Sequence, residues 1–328
     1  MSKRLIPYKL FWVLIIAANA CCGQHANSPA GRALWTVDIS HDDKYIAVGG
    51  DDSLLRIFTN DLTLYKWTKV DHGMIRAVQW HPKENLLAVA ARNGIWLYYP
   101  EMGKEIQLEG DHKGSRTIAW NYNGELVAAA AGSGKIWIWN KQGKLLRTIQ
   151  KTDESGIADK KDFLGLDWHP SKNILTTVGD EIRIFDTSGK QLNVFKHREQ
   201  RAGLLTVKWH PSGDFFVTGD YGHINEAIPT LLQFWQPDGK LLREWSGSKM
   251  EFRNIRWNKQ GSYLATASDV LRIWTKEGNL LYTGAQAGNQ VLWGVDWIND
   301  SKKIVTVSFD SGNIQLWDDK AKLLKTIN

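Results

Sequence analysis

The stretch that decides the fold runs from Leu292 to Leu324 and reads LWGVDWINDSKKIVTVSFDSGNIQLWDDKAKLL. Four short apolar runs follow one another in it, and polar turns separate them. The first run ends near Trp297, and the third ends at Trp317 and Asp318. Short runs enriched in β-branched and aromatic residues, bounded by turn residues, are typical of strands rather than helices. The stretch therefore predicts a unit of four antiparallel strands.

The same unit recurs along the chain, and its first strand gives the clearest alignment. The aligned first strands begin at Trp35, Arg76, Arg116, Leu164, Leu205, Arg253 and Trp293, with spacings of 40, 41 or 48 residues. A period of about 40–45 residues with four strands per unit is typical of propeller blades. One such unit is apolar on both faces, so it buries both only by stacking against neighbours around an axis. We therefore predict an all-β, seven-bladed β-propeller over residues 34–328.

Aromatic side chains are expected to fill the wedges between the blades. The chain has 17 Trp, and a buried aromatic side chain removes on the order of 150–250 Å² from water. Packing therefore explains almost all of the Trp residues better than a sugar or cofactor site does. The His-Pro pairs that begin at His81, His169 and His210 occupy the same turn of their repeats. These pairs are predicted to be turn structure rather than catalytic groups.

The ends of the third strands carry a resemblance to a known repeat. The clearest is Leu316-Trp317-Asp318, and the weaker ones are Ile138-Trp139-Asn140, Ile184-Phe185-Asp186 and Ile273-Trp274-Thr275. With the acidic turns that precede the third strands, they make the chain similar to WD40-repeat proteins from Leu34 to Ile327.

The resemblance implies a hydrogen-bonded Asp–His–Ser/Thr–Trp network in each blade, but most copies lack the full set. His72 and His112 lie where the structural His is expected, and Ser308, Asp310 and Trp317 form one partial set. Each blade is predicted to be contiguous in sequence, because the last copy has its own fourth strand. The ring would then close by side-chain packing between the first and seventh blades.

The beginning of the chain has the features of a secretory signal. In residues 1–20, basic residues precede an apolar run over residues 10–18 and a small-residue cleavage site at 18–20. Cys21 and Cys22 follow directly, and the segment resembles a bacterial lipoprotein signal with Cys21 as the acylated residue. Plain cleavage after Ala20 and a buried N-terminal element are the alternatives. Residues 21–33 are a linker, and we expect a periplasmic, outer-membrane or cell-surface lipoprotein, or else a soluble secreted protein.

Charge and motifs argue against several classes of function. The formal net charge is +6, of which the predicted signal contributes three positive charges, and the remainder is too small to indicate nucleic-acid binding. The two adjacent cysteines are the only thiols, which leaves no disulfide framework or Cys-based site. No HExxH, GxSxG or phosphate-cradling Gly loop is present. Asp51, Asp52 and Asp310 could form a carboxylate cluster, but turn structure explains them better. We therefore predict no enzyme activity, no cofactor and no metal.

Long connections concentrate on one end of the predicted ring. They are residues 150–162 between blades three and four, 196–203 between blades four and five, and 220–230 within blade five. Insertions on one face of a repeat protein often mark the binding face, although loops also tolerate length without any function. The hypothesis places Tyr221, His223 and Glu226 of the third connection among the partner-binding residues.

The mouth of the central channel lies at the same end. The second position before the aligned apolar residue of each first strand carries Trp35, Arg76, Arg116, Leu164, Leu205, Arg253 and Trp293. Trp and Arg are the types that dominate interface hot spots, so Trp35, Arg76, Arg116, Arg253 and Trp293 are the candidate partner-binding residues. The alternatives are packing between blades for the two Trp, and solvation or internal pairing for the three Arg. The next alternation gives a polar channel lining of Asp38, Gln79, Ala119, Asp167, Lys208, Arg256 and Asp296.

These features favour a non-catalytic scaffold that binds a protein or peptide on its long-loop face. It would act as a monomer or within a hetero-complex, and would reach a membrane only through the lipid anchor. The alternative is an enzyme or carbohydrate-binding propeller in which Arg76, Arg116 and Arg253 hold an acidic ligand. Clustering of Asp38, Asp167 and Asp296 with a His around one pocket would favour chemistry. A broad mixed apolar and basic rim would favour protein binding.

Overall fold

The structure is a computed structural model that describes residues 33–152, 163–198, 202–223, 227–285, 290–298 and 302–328. Its strands form seven four-stranded antiparallel sheets arranged as blades of a ring, which confirms the predicted all-β, seven-bladed β-propeller. Residues 1–32, which include the predicted signal and Cys21, lie outside the described residues. Within the described ranges there is no helix long and apolar enough to cross a membrane.

The first four blades occupy residues 34–195. Blade 1 contains β1 (Leu34–Ile39), β2 (Tyr45–Gly50), β3 (Leu54–Thr59) and β4 (Leu64–Lys69). Blade 2 contains β5 (Ile75–Trp80), β6 (Leu87–Ala91), β7 (Gly94–Tyr99) and β8 (Lys104–Gln107). Blade 3 contains β9 (Ser115–Trp120), β10 (Leu126–Ala131), β11 (Lys135–Asn140) and β12 (Leu145–Gln150). Blade 4 contains β13 (Gly165–Trp168), β14 (Ile174–Val178), β15 (Ile182–Asp186) and β16 (Gln191–Phe195).

The remaining three blades complete the ring. Blade 5 contains β17 (Leu204–Trp209), β18 (Phe216–Asp220), β19 (Leu231–Trp235) and β20 (Leu241–Ser246). Blade 6 contains β21 (Asn254–Trp257), β22 (Tyr263–Ala267), β23 (Arg272–Thr275) and β24 (Leu280–Thr283). Blade 7 contains β25 (Leu292–Ile298), β26 (Lys303–Ser308), β27 (Ile314–Asp318) and β28 (Leu323–Ile327). Each sheet pairs its strands in sequence order, so every blade is contiguous, as predicted.

The inner strands surround the central channel, and the ring closes where β1 contacts β25. The closing core joins Leu34 and Val37 of blade 1 to Ile298, Val307 and Leu316 of blade 7. All five side chains are buried. Apolar side chains on both sides of this junction therefore stabilise the closure, and within the described residues blades 1 and 7 share no strand.

Most tryptophans pack in the core, as predicted. Twelve are buried, namely Trp80, Trp96, Trp120, Trp137, Trp139, Trp168, Trp209, Trp235, Trp257, Trp274, Trp297 and Trp317. Trp67 is an exception, because its side chain on the outermost strand β4 is 58% exposed. An outermost strand has no neighbour on its outer side, which explains why packing does not cover this residue.

The channel-lining position also links successive blades. The Asp38 carboxylate accepts a hydrogen bond from the Trp80 backbone N–H of the next blade at 2.7 Å. Asp167 accepts one from the Trp209 N–H at 2.8 Å. Asp296 of blade 7 accepts the equivalent bond from the Ile39 N–H of blade 1 at 2.9 Å. The junction that closes the ring therefore has the same hydrogen bond as two junctions inside the chain.

The His-Pro histidines link the blades at the opposite end of the channel. The Nε2 atom of His81 lies 3.0 Å from the Gly124 carbonyl oxygen, and that of His210 lies 2.8 Å from the Gly261 carbonyl oxygen. Each His ring also packs against the Trp that ends the next inner strand. Burial lowers the pKa of His81 and so favours its neutral form. The prediction of turn structure holds for both residues, which also join one blade to the next.

The predicted partial network in blade 7 is wrong in its membership. The Trp317 indole N–H donates to the Thr306 hydroxyl at 2.9 Å, whereas the Ser308 hydroxyl lies against Ser311. Asp310 instead accepts the Val291 backbone N–H at 3.0 Å. Thr306 and Ser308 lie two positions apart on the same face of β26, but Ser308 is the last residue of the strand and its hydroxyl bonds within the following turn.

A set of the expected composition occurs in blade 5, where the sequence reading missed it. The Trp235 indole donates to the Thr218 hydroxyl at 3.0 Å, and the His197 Nε2 lies 3.4 Å from an oxygen of Asp220. Arg198 forms an ion pair with the same carboxylate at 2.6 Å. Asp220 is one of the acidic residues that precede the third strands. The dipeptide His197-Arg198 before strand β17 was the signal that could have completed the set.

Candidate functional site: the channel mouth

The mouth residues lie where the inner strands begin. Trp35, Arg76, Arg116 and Trp293 are each the second residue of an inner strand, and Arg253 directly precedes β21. The strands approach one another closely here. A Cβ atom on Gly294 would lie 3.1 Å from the Val37 backbone nitrogen. This crowding explains the small residues after the mouth positions and directs the larger side chains toward the rim.

Two of the predicted tryptophans form one aromatic cluster with a residue that the sequence reading missed. The ring centroids of Trp35 and Trp293 lie 4.3 Å apart with an edge-to-face angle of 88°. Phe309, in the turn after β26, stacks on Trp293 with a centroid distance of 4.3 Å. All three side chains are partly exposed. Phe309 occupies the turn position that holds Asp51 in blade 1 and Arg92 in blade 2, and this change to an aromatic residue was the available signal.

Charged groups fix this aromatic cluster from both sides. The Arg253 guanidinium lies over the Trp293 ring, 4.2 Å from its centroid, and forms an ion pair with Glu251. The Trp35 indole N–H donates to the Asp51 carboxylate at 2.5 Å. We call Arg253, Trp293, Phe309, Trp35 and Asp51 the aromatic arc. Trp35 and Trp293 thus pack against neighbouring blades, and Arg253 is internally paired with Glu251. These are the alternatives to a partner contact that the sequence left open.

The other two predicted arginines lie beside the arc, in blades 2 and 3. Arg76 is half-buried, and its Nη1 donates to the Gly114 carbonyl oxygen at 3.3 Å. Burial lowers the pKa of Arg76, and the nearby positive charges of Arg116 and Arg92 lower it further. Arg116 is exposed at the rim. The mouth thus has an aromatic sector over blades 6, 7 and 1 and a basic sector over blades 2 and 3.

Below the mouth, the predicted channel lining forms a belt of ion pairs. Arg256 Nη2 lies 3.2 Å from Asp38, and its Nε lies 3.9 Å from Asp296. On the facing blades, Lys208 pairs with Asp167 at 2.6 Å. Burial, followed by the negative charge of Asp296, raises the pKa of Asp38 to about 7. Burial also raises the pKa of Asp296.

Asp38 and Asp296 thus share Arg256, Asp167 pairs with Lys208, and each of the three channel acids has a structural partner. Their oxygens accept backbone N–H groups of the ring and face cations of neighbouring blades. The pKa of Arg256 is raised, since the carboxylates of Asp296 and Asp38 outweigh the opposing effect of burial. Within the described ranges, no group of His, Cys, Asp and Glu could hold a metal ion. This belt is built to join blades rather than to present a free acid or base.

The acids proposed as a possible cluster at the blade 1–7 junction are instead turn residues. Asp51 holds the Trp35 indole, Asp52 pairs with Arg56, and Asp310 accepts a backbone N–H. Each carboxylate thus has a separate local partner, as the reading in terms of turn structure predicts.

The long connection of blade 5 is secured by one buried carboxylate. Asp220 accepts the backbone N–H groups of Gly222 and Leu231, at 3.2 and 2.6 Å. Tyr221 is exposed beside this anchor, and His223 forms a bridge with Ile228. Glu226 lies outside the described residues, as do residues 153–162 and 199–201 of the two other long connections. Tyr221 and His223 thus lie in a loop whose two ends are held in place.

Comparison with known proteins agrees with the fold. Segments 22–59, 104–140 and 189–225 match the WD40 family, described as WD domain, G-beta repeat. Together with the seven blades, they identify the fold as a seven-bladed β-propeller with WD40 repeats.

The curated relatives are eukaryotic proteins. The chain is 23% identical over 231 residues to SIR4-interacting protein SIF2 of Saccharomyces cerevisiae, covering 64% of this chain and 40% of the relative. It is 26% identical over 196 residues to Intraflagellar transport protein 122 homolog of Mus musculus, covering 57% and 16%. It is 24% identical over 204 residues to Ribosome biogenesis protein ERB1 of Meyerozyma guilliermondii, covering 54% and 26%. The chain thus spans less than half of each relative.

Proposed function

We propose that this protein is a non-catalytic scaffold that binds a protein or peptide partner at the channel mouth. The observation that carries the proposal is the composition of the rim, where the aromatic arc adjoins the basic sector of Arg76, Arg92 and Arg116. Partly exposed Trp and Arg side chains, fixed by stacking and pairing, lose little conformational entropy when a partner covers them. The name of one relative, SIR4-interacting protein, refers to a protein partner of that relative.

The belt of ion pairs below the rim also favours binding over chemistry. A general acid or base needs a group that can exchange a proton with a substrate. Each of the three channel acids accepts a backbone N–H of the next blade, namely Asp38, Asp167 and Asp296. If one of these carboxylates moved to reach a substrate, that N–H would lose its acceptor. The charges acting on Asp38 and Asp296 come from Asp, Arg and Lys side chains and include no His. The scaffold proposal accounts for this arrangement without assigning a reaction to it.

The test is partner capture by the full chain and by two matched variants. The mouth variant combines Arg76→Ala, Arg116→Ala and Trp293→Ala, and the control combines Lys83→Ala and Lys259→Ala in turns at the opposite end. Loss of three hot-spot side chains should weaken the partner's binding by about a hundredfold or more, at about 1–2 kcal/mol each. The control should bind as the unmodified chain does. Equal capture by the mouth variant, with its fold verified by circular dichroism, would exclude the mouth as the binding surface.

We further propose that the protein is exported and attached to a membrane through Cys21. The support is the sequence of residues 1–22, where an apolar run and small residues precede the two cysteines. Labelling with radioactive palmitate in an exporting bacterial host tests this proposal, with Cys22→Ser as the matched control. Cys21→Ser should abolish labelling and release the protein from the membrane fraction. Labelling that persists in the Cys21→Ser protein would contradict the assignment.

A further inference from the structure

The Arg76 guanidinium has unused hydrogen-bonding capacity at the rim. Its Nη1 bonds to Gly114, its Nε is buried with no acceptor, and its Nη2 has no hydrogen bond within the described part of the chain. A guanidinium has five N–H donors and no acceptor, so it is normally satisfied by carboxylates, carbonyl groups or water. Arg253, at the corresponding mouth position of blade 6, has Glu251 as an ion-pair partner. Arg76 thus differs from its counterpart in having no carboxylate hydrogen-bonded to it.

The charges around Arg76 make the same point. Gly114, whose carbonyl oxygen accepts from Arg76, donates its own N–H to the Arg92 carbonyl oxygen at 3.0 Å and lies two residues before Arg116. Arg116, on β9, and Arg92, in the turn between β6 and β7, are thus neighbours of Arg76, and both oppose its positive charge. The carboxylate that favours it is Asp51, which is already the acceptor of the Trp35 indole. Like charges held close together on a partly buried surface raise the free energy of the unliganded state. An anion placed among these guanidinium groups would remove that repulsion and supply the missing acceptor.

From this arrangement we infer that Arg76, Arg92 and Arg116 form a carboxylate-binding subsite of the mouth. This inference rests on the proposed function, since it identifies the subsite with the place where an acidic side chain of the bound protein segment docks. A planar carboxylate matches the fork of N–H donors that a guanidinium presents. The aromatic arc adjoins the subsite through Asp51, so the same segment would place an apolar residue beside its acidic one. We call these three arginines the carboxylate subsite.

The experiment uses a small probe and needs no partner. The full chain is labelled with ¹⁵N-arginine, and the Arg76 Nε–H signal is followed by NMR as glutarate, the neutral glutaramide or inorganic phosphate is added. The Nε atom is buried, so its proton is protected from solvent exchange and suits the measurement. Glutarate should shift this signal with an affinity on the order of 10 mM, as expected for one charge-assisted contact. Glutaramide should have no effect.

Variants then assign the effect to the subsite. Arg76→Gln should weaken glutarate binding, measured by saturation transfer to the ligand, by about tenfold, the loss of one charge-assisted pair. The control Arg147→Gln, on the exposed face of β12, should leave it unchanged. A response to phosphate without a response to glutarate, or equal responses to glutarate and glutaramide, would overturn the inference. Glutarate binding is independent of partner capture, so failure here and failure of the scaffold proposal are separate results.

Discussion

Replacing Asp296 should weaken the junction that closes the ring. This carboxylate accepts the Ile39 N–H of blade 1 at 2.9 Å and the Trp297 N–H of its own strand at 2.9 Å. It also lies 3.9 Å from Nε of Arg256. Asp296→Ala removes these interactions and leaves the Ile39 N–H without this acceptor inside the ring. Of these three interactions, the bond to the Ile39 N–H is the one that joins blade 7 to blade 1.

The expected size of the stability change combines the loss of a hydrogen bond with the relief of repulsion between Asp296 and Asp38. A hydrogen bond to a charged group contributes about 1.5–3 kcal/mol, and a buried donor left unpaired costs about 1–3 kcal/mol. The variant also removes the negative charge that raises the pKa of Asp38, which offsets part of the loss. We therefore expect Asp296→Ala to lower the free energy of unfolding by about 2 kcal/mol. Asp296→Asn keeps an oxygen acceptor without the charge and should change stability by less than about 1 kcal/mol.

Urea unfolding measures the stability change, and amide hydrogen exchange locates it. Exchange should accelerate in β1 and β25, which form the closing junction, and not in β9 or β13. Asp167→Ala is the matched internal control, because it removes the same kind of bond at the junction of blades 4 and 5. If Asp296→Ala matches the unmodified chain in both stability and exchange, the proposed role of this hydrogen bond in closure is refuted.

Three further predictions concern single residues of the fold. The pKa of Asp38 in the folded protein, about 7, exceeds the ordinary value of 3.8 for an Asp side chain, so the folded state binds this proton more tightly than the unfolded state. Its contribution to stability should therefore decrease as pH rises from about 4 to 7, by up to about 1.4 kcal/mol per pH unit, and Asp38→Asn should remove this slope from pH-dependent urea unfolding. Gly124→Ala should lower the free energy of unfolding by roughly 1–3 kcal/mol, as overpacking of a core does, because its Cβ would lie 2.0 Å from His81 and its φ is 81°. In a protein that already carries His81→Ala, thermal unfolding should show a smaller loss, of about 1 kcal/mol for the backbone strain alone. Thr306→Val should cost about 1–2 kcal/mol because the buried Trp317 indole loses its acceptor, whereas Thr306→Ser should retain most of the stability in the same assay.

The sequence was sufficient to predict the fold because the blade pattern is local. Each blade consists of four short apolar runs, and each repeat has a large side chain at the end of its first and third strands or one residue before it. Seven copies of such a pattern make errors in a single copy unimportant. The exposure of Trp67 could not be predicted, because residue type alone does not distinguish an inner strand from an outermost one.

The site was predicted less completely, because its contacts join residues far apart in sequence. The alignment placed Trp35, Arg253 and Trp293 at one rim, but it did not indicate that Phe309 stacks on Trp293 or that Glu251 pairs with Arg253. The same alignment treated the three arginines as equivalent. Their partners distinguish them, and partners depend on side-chain directions that the repeat period does not specify.

The belt of ion pairs has a consequence for the shape of the mouth. Arg256 of blade 6 reaches past blade 7 to Asp38 of blade 1, so charged side chains extend across part of the channel. Below the mouth, the Arg256–Asp38 pair therefore spans part of the channel. A segment that entered the channel from the mouth would meet this ion pair.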